Sequence, residues 1–464
     1  MRGVAWRKVA VGLATAVLAA GCASMEAQRK IHEAVSTSIG QGDYAAAINQ
    51  LQAGREDCYR EKDRILYFLD MGMLCHFAGR YRESNDLLGQ ADEAIAAAYT
   101  RSVRQAAASF MLNDNVLEYP GEDYEDIYLN VFKALNYLGL NEPKEAFVEV
   151  RRIAEKLSVM EGRYVKVAEQ LNTVPDRRVN FKAGATRFHN SALARFLSLI
   201  MYRADGNLDD ARIDTEKIEE TWRLSSQIYS FPMPAIRTAL APSGQPRLTL
   251  LAFAGRTPEK MADTMWIHTF KDRVVIARSV EVPSARKDCV DVIPWPGVKP
   301  DLHVKLEVPY LFRRPSQVGS VRAVVDDRTI VDLARLESLE NVAMDTFAVK
   351  RPLIYVKTLS RVVLKVLLAE TTIEETTKKE DQSTKDLVRM ATYMALAASE
   401  SADLRATRYI PGQAWMADVA LSPGAHAVRV EYLGPDGQIL HTQVLPPVEV
   451  RQEWPNLAQS AYLN

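Results

Sequence analysis

The stretch Phe77-Ala78-Gly79-Arg80-Tyr81-Arg82-Glu83-Ser84-Asn85-Asp86-Leu87-Leu88 decides how the first half of the chain folds. Gly79 stops a helix in a left-handed cap. Tyr81, two positions on, supplies an apolar side chain for the corner. Ser84, small, lets a second helix approach the first. Phe68, Gly72 and Cys75 before the turn face Leu88 and Ala91 after it. The layout recurs. Gly42-Asp43-Tyr44 is followed by Ala47 and Leu51. Gly139-Leu140-Asn141-Glu142-Pro143 is preceded by Ala134 and Tyr137 and followed by Ala146 and Val150. Gly206-Asn207-Leu208 is preceded by Leu199 and Tyr202 and followed by Ala211, Thr215 and Ile218. Residues 26 to about 235 contain few prolines and many Ala, Leu, Glu and Arg, which favours helix throughout.

The repeated unit resembles a degenerate tetratricopeptide repeat. The turn glycines lie 37, 60 and 67 residues apart, so long helices over Ala91–Phe110 and Lys144–Leu171 separate the units. A TPR-like α-helical solenoid over residues 22–235 is the expectation, and a plain helical bundle is the alternative. Stacked units leave a concave groove suited to peptides or proteins. Tyr119, Tyr124, Tyr128 and Tyr137 are the candidate partner groove, beside the acidic run Glu122, Asp123, Glu125 and Asp126. The competing reading makes the tyrosines packing residues and the acids a solvated helix start.

Composition shifts at Pro232 and Pro234 and again at Pro242-Ser243-Gly244-Gln245-Pro246, a linker. Beyond it, residues 245–464 read as a β-rich domain. Arg247–Phe253, Arg273–Ala277, Leu302–Val308 and Ser320–Val325 have strand character, clearest as alternation in the last two. A hairpin pairs Ala425–Tyr432 with Gln438–Leu445 about Gly434-Pro435-Asp436-Gly437. Together these predict a small antiparallel β-sandwich-like domain. A helical-hairpin insertion at about 353–401 interrupts it, with a polar, mobile connection over 371–383. Lys357, Arg361 and Lys365 fall four apart, forming a basic stripe that is either an anion site or a solvated face. The fold class is therefore α+β and multidomain.

The chain opens with Arg2, Arg7 and Lys8, an apolar run from Val9 to Ala20, and Leu18-Ala19-Ala20-Gly21-Cys22. This is the pattern of a secretory leader over residues 1–21, too short to span a bilayer. The last five residues resemble the bacterial lipobox, implying lipidation (palmitate included) on Cys22. Ala23 after the cysteine implies an outer-membrane lipoprotein facing the periplasm. Formal net charge is −1. Loss of the three leader cations leaves −4, which gives no support for nucleic-acid binding. Cys58, Cys75 and Cys289 are expected as free, mostly buried thiols, because the helical rise separates Cys58 and Cys75 beyond disulfide reach. There is no metal-ligand spacing, no G-x-S-x-G and no phosphate-cradling loop. The seven histidines are scattered. No catalytic residue, metal or cofactor is expected.

Several stretches are similar to a family of bacterial TPR-type envelope lipoproteins of unassigned activity. They are Lys62–Gly72, Gly79–Ser84, Gly121–Glu125, Lys133–Leu138 and Asp403–Pro411. The resemblance implies an envelope protein partner and kinship with lipoproteins serving cell-wall synthesis. The expected function is a lipid-anchored protein-interaction scaffold. A glycan-acting enzyme with a carboxylate site and a ligand-binding lipoprotein are the alternatives.

Overall fold

The computed structural model describes residues 26–105, 109–173, 180–241, 244–279, 287–296, 298 and 300–464. The leader and Cys22 lie outside them.

Among the described residues, four helical hairpins come first. Helix α1 (26–40) turns into α2 (Tyr44–Ala53), followed by the short α3 (Arg55–Cys58). Then come α4 (Arg64–Phe77) with α5 (Tyr81–Gln105), α6 (Asp123–Gly139) with α7 (Pro143–Leu171), and α8 (Ala192–Ala204) with α9 (Leu208–Leu224). All four turns use one device. Gly42, Gly79, Asn141 and Gly206 have φ of 76, 73, 62 and 73°. The N–H after each donates to a carbonyl five residues back: Asp43 to Ser38, Arg80 to Cys75, Glu142 to Tyr137 and Asn207 to Tyr202. This is the Schellman cap, which satisfies carbonyls the helix leaves orphaned. In the third unit Asn141, not Gly139, takes the left-handed position.

The remainder is mixed. Strands β1 (Arg247–Ala254), β2 (Glu259–Phe270), β3 (Arg273–Ser279), β4 (Lys287–Pro294), β5 (His303–Phe312), β6 (Ser320–Val325) and β7 (Thr329–Glu337) precede helices α10 (Leu339–Thr376) and α11 (Gln382–Ser399). After them come β8 (Gln413–Ala420), β9 (Gly424–His426), β10 (Val428–Leu433), β11 (Ile439–Val444), β12 (Val448–Val450) and β13 (Leu457–Tyr462). A seven-stranded sheet has the order β11-β10-β6-β7-β8-β1-β13, a four-stranded one β4-β3-β2-β5, and β12 pairs with β9. The β1–β13 pair is parallel. Strands β11 and β13, from the two ends of that order, touch, so the sheet curls nearly into a barrel.

The expected small antiparallel sandwich is thus replaced by a large mixed sheet. The reason lies in β1. Leu251 and Phe253 join the helices' core, while Leu248, Leu250, Ala252 and Ala254 line the opposite face with Val321, Val430 and Trp415. A strand buried on both faces reads as a continuous apolar run. The helices' core also takes in Leu311, Leu336, Val342 and Met416. The hairpins therefore bury their apolar sides partly on the sheet, and no solenoid is identified.

Helices α10 and α11 do sit between the neighbouring strands β7 and β8. The first begins at Leu339, well before the expected 353, because it continues through Pro352. A proline removes one intrahelical hydrogen bond. Here the Gly184 N–H docks on the helix at Val349 O, 2.7 Å away. A Cβ on Gly184 would lie 2.7 Å from Ala348 O, so only glycine fits. The connection expected to be mobile is helical to Thr376. Thr371, Thr372 and Thr376 donate hydroxyls to carbonyls four residues back, and Glu370 accepts from Arg389 and Tyr393.

Cys58 and Cys75 are free. Burial pushes their thiols up to about 11 and about 12. The side chain of Cys289 lies outside the described residues. Among the described residues no helix is long and apolar enough to cross a membrane.

Candidate functional site

A cleft of about 320 Å³ opens where α5, α6, α7 and α10 meet β2 and β5. Ile95, Ala98, Val167, Leu171, Leu353 and Ile354 give it apolar walls, and Tyr99 and Tyr164 add aromatic surface. Its floor is the start of α6.

There the acidic run Glu122-Asp123-Tyr124-Glu125-Asp126 is buried throughout. Acids belong at a helix start because the N–H groups and the dipole favour negative charge. Each is answered individually. Glu122 is ion-paired to both Lys260 and Lys350. Burial works against its charge, but the two lysines outweigh it and hold the carboxyl below the usual range. Asp123 accepts from Tyr164 Oη at 2.6 Å. Burial nevertheless pushes its carboxyl up to about 6, against Lys350. Glu125 accepts from Tyr119 Oη (2.7 Å), the Glu122 N–H (2.8 Å) and the Thr407 N–H (2.7 Å). Burial and then the charge of Glu122 push it up to about 7. Asp126 pairs with Lys156 and Arg163 at 2.6 and 3.0 Å.

Carboxyls with raised folded-state pKa bind protons more tightly when folded, so their stabilising share is lost as pH rises. For Asp123 and Glu125 the window runs from about pH 4, the unfolded value, to about 6 and 7. Melting temperature is expected to fall between pH 5 and pH 8. Glu125→Gln should flatten that fall, as read by calorimetry across pH. An unchanged slope would remove Glu125 from the account.

The tyrosines proposed as a groove are placed otherwise. Tyr119, Tyr124 and Tyr128 are fully buried, and only Tyr119 reaches the cleft wall. Their hydroxyls go to buried carboxylates: Tyr119 and Tyr124 to Glu125, and Tyr128 to Glu337 at 2.7 Å. A phenol buried with an acid partner stabilises the core and cannot contact a partner protein. Tyr137 is half-buried and packs on the helical core.

The basic stripe is likewise occupied. Lys357 pairs with Asp114 at 2.5 Å, and Arg361 and Lys365 both pair with Glu400, at 2.9 and 2.6 Å. Arg361 is only 2% exposed and also donates to Leu112 O. The stripe ties the inserted helix to the loops at 112–114 and 400, and Lys357 and Arg361 border the cleft. It is not an open anion site. The signal that it would be paired was non-local: Asp114 is 243 positions away.

Residues 401–411 stitch the halves together beside the cleft. Arg405 donates to Asp63 and Asp403 side chains and to the carbonyls of Leu117 and Asp114. The Thr407 hydroxyl and the Arg408 N–H both donate to Asp70, at 2.7 and 2.8 Å. A second recess lies on the helical side between α7 and the α8–α9 pair, as two adjoining cavities of about 180 and 260 Å³. Phe147, Leu157 and Ile213 line it with Asp214, which Arg195 holds at 3.1 Å.

Among the described residues no group of three or more His, Cys, Asp or Glu is placed to hold a metal ion. The chain matches no family model, no curated protein and no solved structure.

Proposed function

We propose that this chain is an outer-membrane lipoprotein, anchored through Cys22 and facing the periplasm, that acts as a binding scaffold for an envelope protein and seats an apolar segment of that partner in the cleft. One observation supports this above others. The cleft has aliphatic walls, while its charged floor is already neutralised within the chain: Glu122 by Lys260 and Lys350, Asp126 by Lys156 and Arg163, Lys357 by Asp114. Such a recess asks for apolar surface rather than a counter-charge. The TPR-like character of the hairpins and a role beside cell-wall synthesis belong to the same proposal.

A photo-crosslinking residue at the exposed rim position Ser102 tests it in cells. A discrete adduct is expected, lost when Ala98→Phe fills the cleft in a protein that still melts cooperatively. A crosslinker on exposed α9, at Lys217, is expected to give none. An adduct indifferent to Ala98→Phe would place the partner elsewhere.

A second reading, acid catalysis on a glycan, has one specific observation in favour. Adjacent carboxyls, Glu122 and Asp123, are pushed in opposite directions at the floor of a cleft. Such divergence is a mark of acid–base sites, and also of structural ion-pair networks. Asp123→Asn separates the readings: binding by the scaffold survives it, whereas catalysis would not.

A further inference from the structure

On the sheet face opposite the core beneath α10, His268 on β2 and His303 on β5 are register partners. Their Nδ1 atoms lie 2.6 Å apart and the ring centroids 4.8 Å, at an interplanar angle of 65°. Met265, Ile267, Val304 and Leu306, one position to either side or three along, point into the core beneath α10. Strand alternation therefore turns both histidines outward with Trp266, which is 37% exposed. The adjoining Thr269 N–H donates to Leu302 O. By the alternation of an antiparallel ladder, the histidines occupy the narrower, non-hydrogen-bonded position, where side chains come closest.

We propose that His268 and His303 form a two-nitrogen binding site for a divalent late transition metal ion of the Zn²⁺–Cu²⁺ class. Imidazole nitrogen is the ligand these ions favour. With metal–nitrogen bonds of about 2.0–2.1 Å, two nitrogens on one tetrahedral ion stand roughly 3.3 Å apart. The rings must part by less than about 1 Å to accept it. Strand pairing fixes the two Cα atoms, so most of the orienting cost is already met. Both rings bind as neutral imidazoles, and a ring that carries its proton on Nδ1 shifts it to Nε2. Among the described residues no third His, Cys, Asp or Glu joins the pair, and the remaining coordination positions are open to water. Metal-free, one of the two nitrogens donates a hydrogen bond to the other.

Trp266 supplies the readout, since Cu²⁺ quenches indole fluorescence at short range. The untagged full chain is titrated with Cu²⁺, with Zn²⁺ as competitor. The expected result is saturable quenching at one equivalent, reversed by Zn²⁺ and largely absent in Trp266→Phe. His268→Ala and His303→Ala should each weaken it by about tenfold or more. His303 is exposed on an edge strand, so His303→Ala should melt with the wild type. A His303→Ala titration that overlays the wild type, or no saturable quenching below about 100 µM Cu²⁺, would overturn the site.

Discussion

Glu122→Ala is expected to destabilise the protein by about 3–5 kcal/mol, the usual cost of removing one partner from a buried ion pair. The side chains of Lys260 and Lys350 are 4% and 12% exposed, and Glu122 balances both. Without it neither ammonium keeps a direct ion pair: Lys350 is left with the more distant charges of Asp123 and Glu125, and Lys260 with that of Asp403. A buried charge left in that state costs far more than the pair was worth. The control is Lys350→Met in the same background. An apolar chain of similar length needs no counter-ion, so the double variant should recover a substantial part of the loss. Urea unfolding of the four proteins gives the coupling. A Glu122→Ala loss under about 1 kcal/mol, or no recovery in the double variant, would show that solvent reaches the lysines.

The second large effect is at Glu337, at the end of β7. It is fully buried and accepts from Tyr128 Oη at 2.7 Å, Tyr229 Oη at 2.8 Å, Ser191 Oγ at 2.9 and 3.0 Å, and the Leu193 N–H at 3.0 Å. Burial pushes its carboxyl up despite these four donors. One side chain thus joins the sheet to α6, to the start of α8 and to the segment after α9. Glu337→Ala strands the Tyr128 and Ser191 hydroxyls and the Leu193 N–H, each worth about 1–3 kcal/mol if left dry, and leaves the Tyr229 hydroxyl only the longer contact to Asn190 O at 3.3 Å. Because the variant also removes a carboxyl whose burial is itself costly, a net loss of about 4 kcal/mol is expected. Glu337→Gln keeps the shape and one acceptor oxygen, and its amide can face hydroxyls that rotate to accept. Its cost should be about half. The measurement is the denaturant midpoint of each variant. Equal losses for Ala and Gln would mean that charge, not hydrogen-bond acceptance, is what the site requires.

Local signals were legible wherever they sufficed. The turns at Gly42, Gly79, Asn141 and Gly206 are fixed by which residues tolerate positive φ, and the helices either side follow from propensity. Strand β6 is readable because its alternation matches a half-buried surface. Strand β2 was missed for the converse reason. Its core residues Met265 and Ile267 alternate with outward positions of mixed character, polar Thr264 and His268 beside exposed apolar Trp266 and Phe270, and polar Thr269 is buried, so the period is blurred. The start of α10 was misplaced because Pro352 ordinarily ends a helix, and only the docking of Gly184 shows how the chain continues past it.

The candidate site was partly visible. The run Glu122–Asp126 and the stripe Lys357, Arg361 and Lys365 were singled out, and both border the cleft. Their roles were not legible, because each role belongs to a pair. Whether Arg361 is a solvated cation or a buried one depends on Glu400, and whether Tyr128 faces a partner or a core depends on Glu337.

The sequence by itself determined the hairpins and about half of the strands, since each depends on residues within a few positions of one another. Only the tertiary structure decided the sheet order, the shared core of helices and sheet, the cleft and the facing of His268 and His303. Those depend on which distant segments meet. An isolated acid, phenol or imidazole has no fixed chemistry until burial sets its solvent and its neighbour sets its charge.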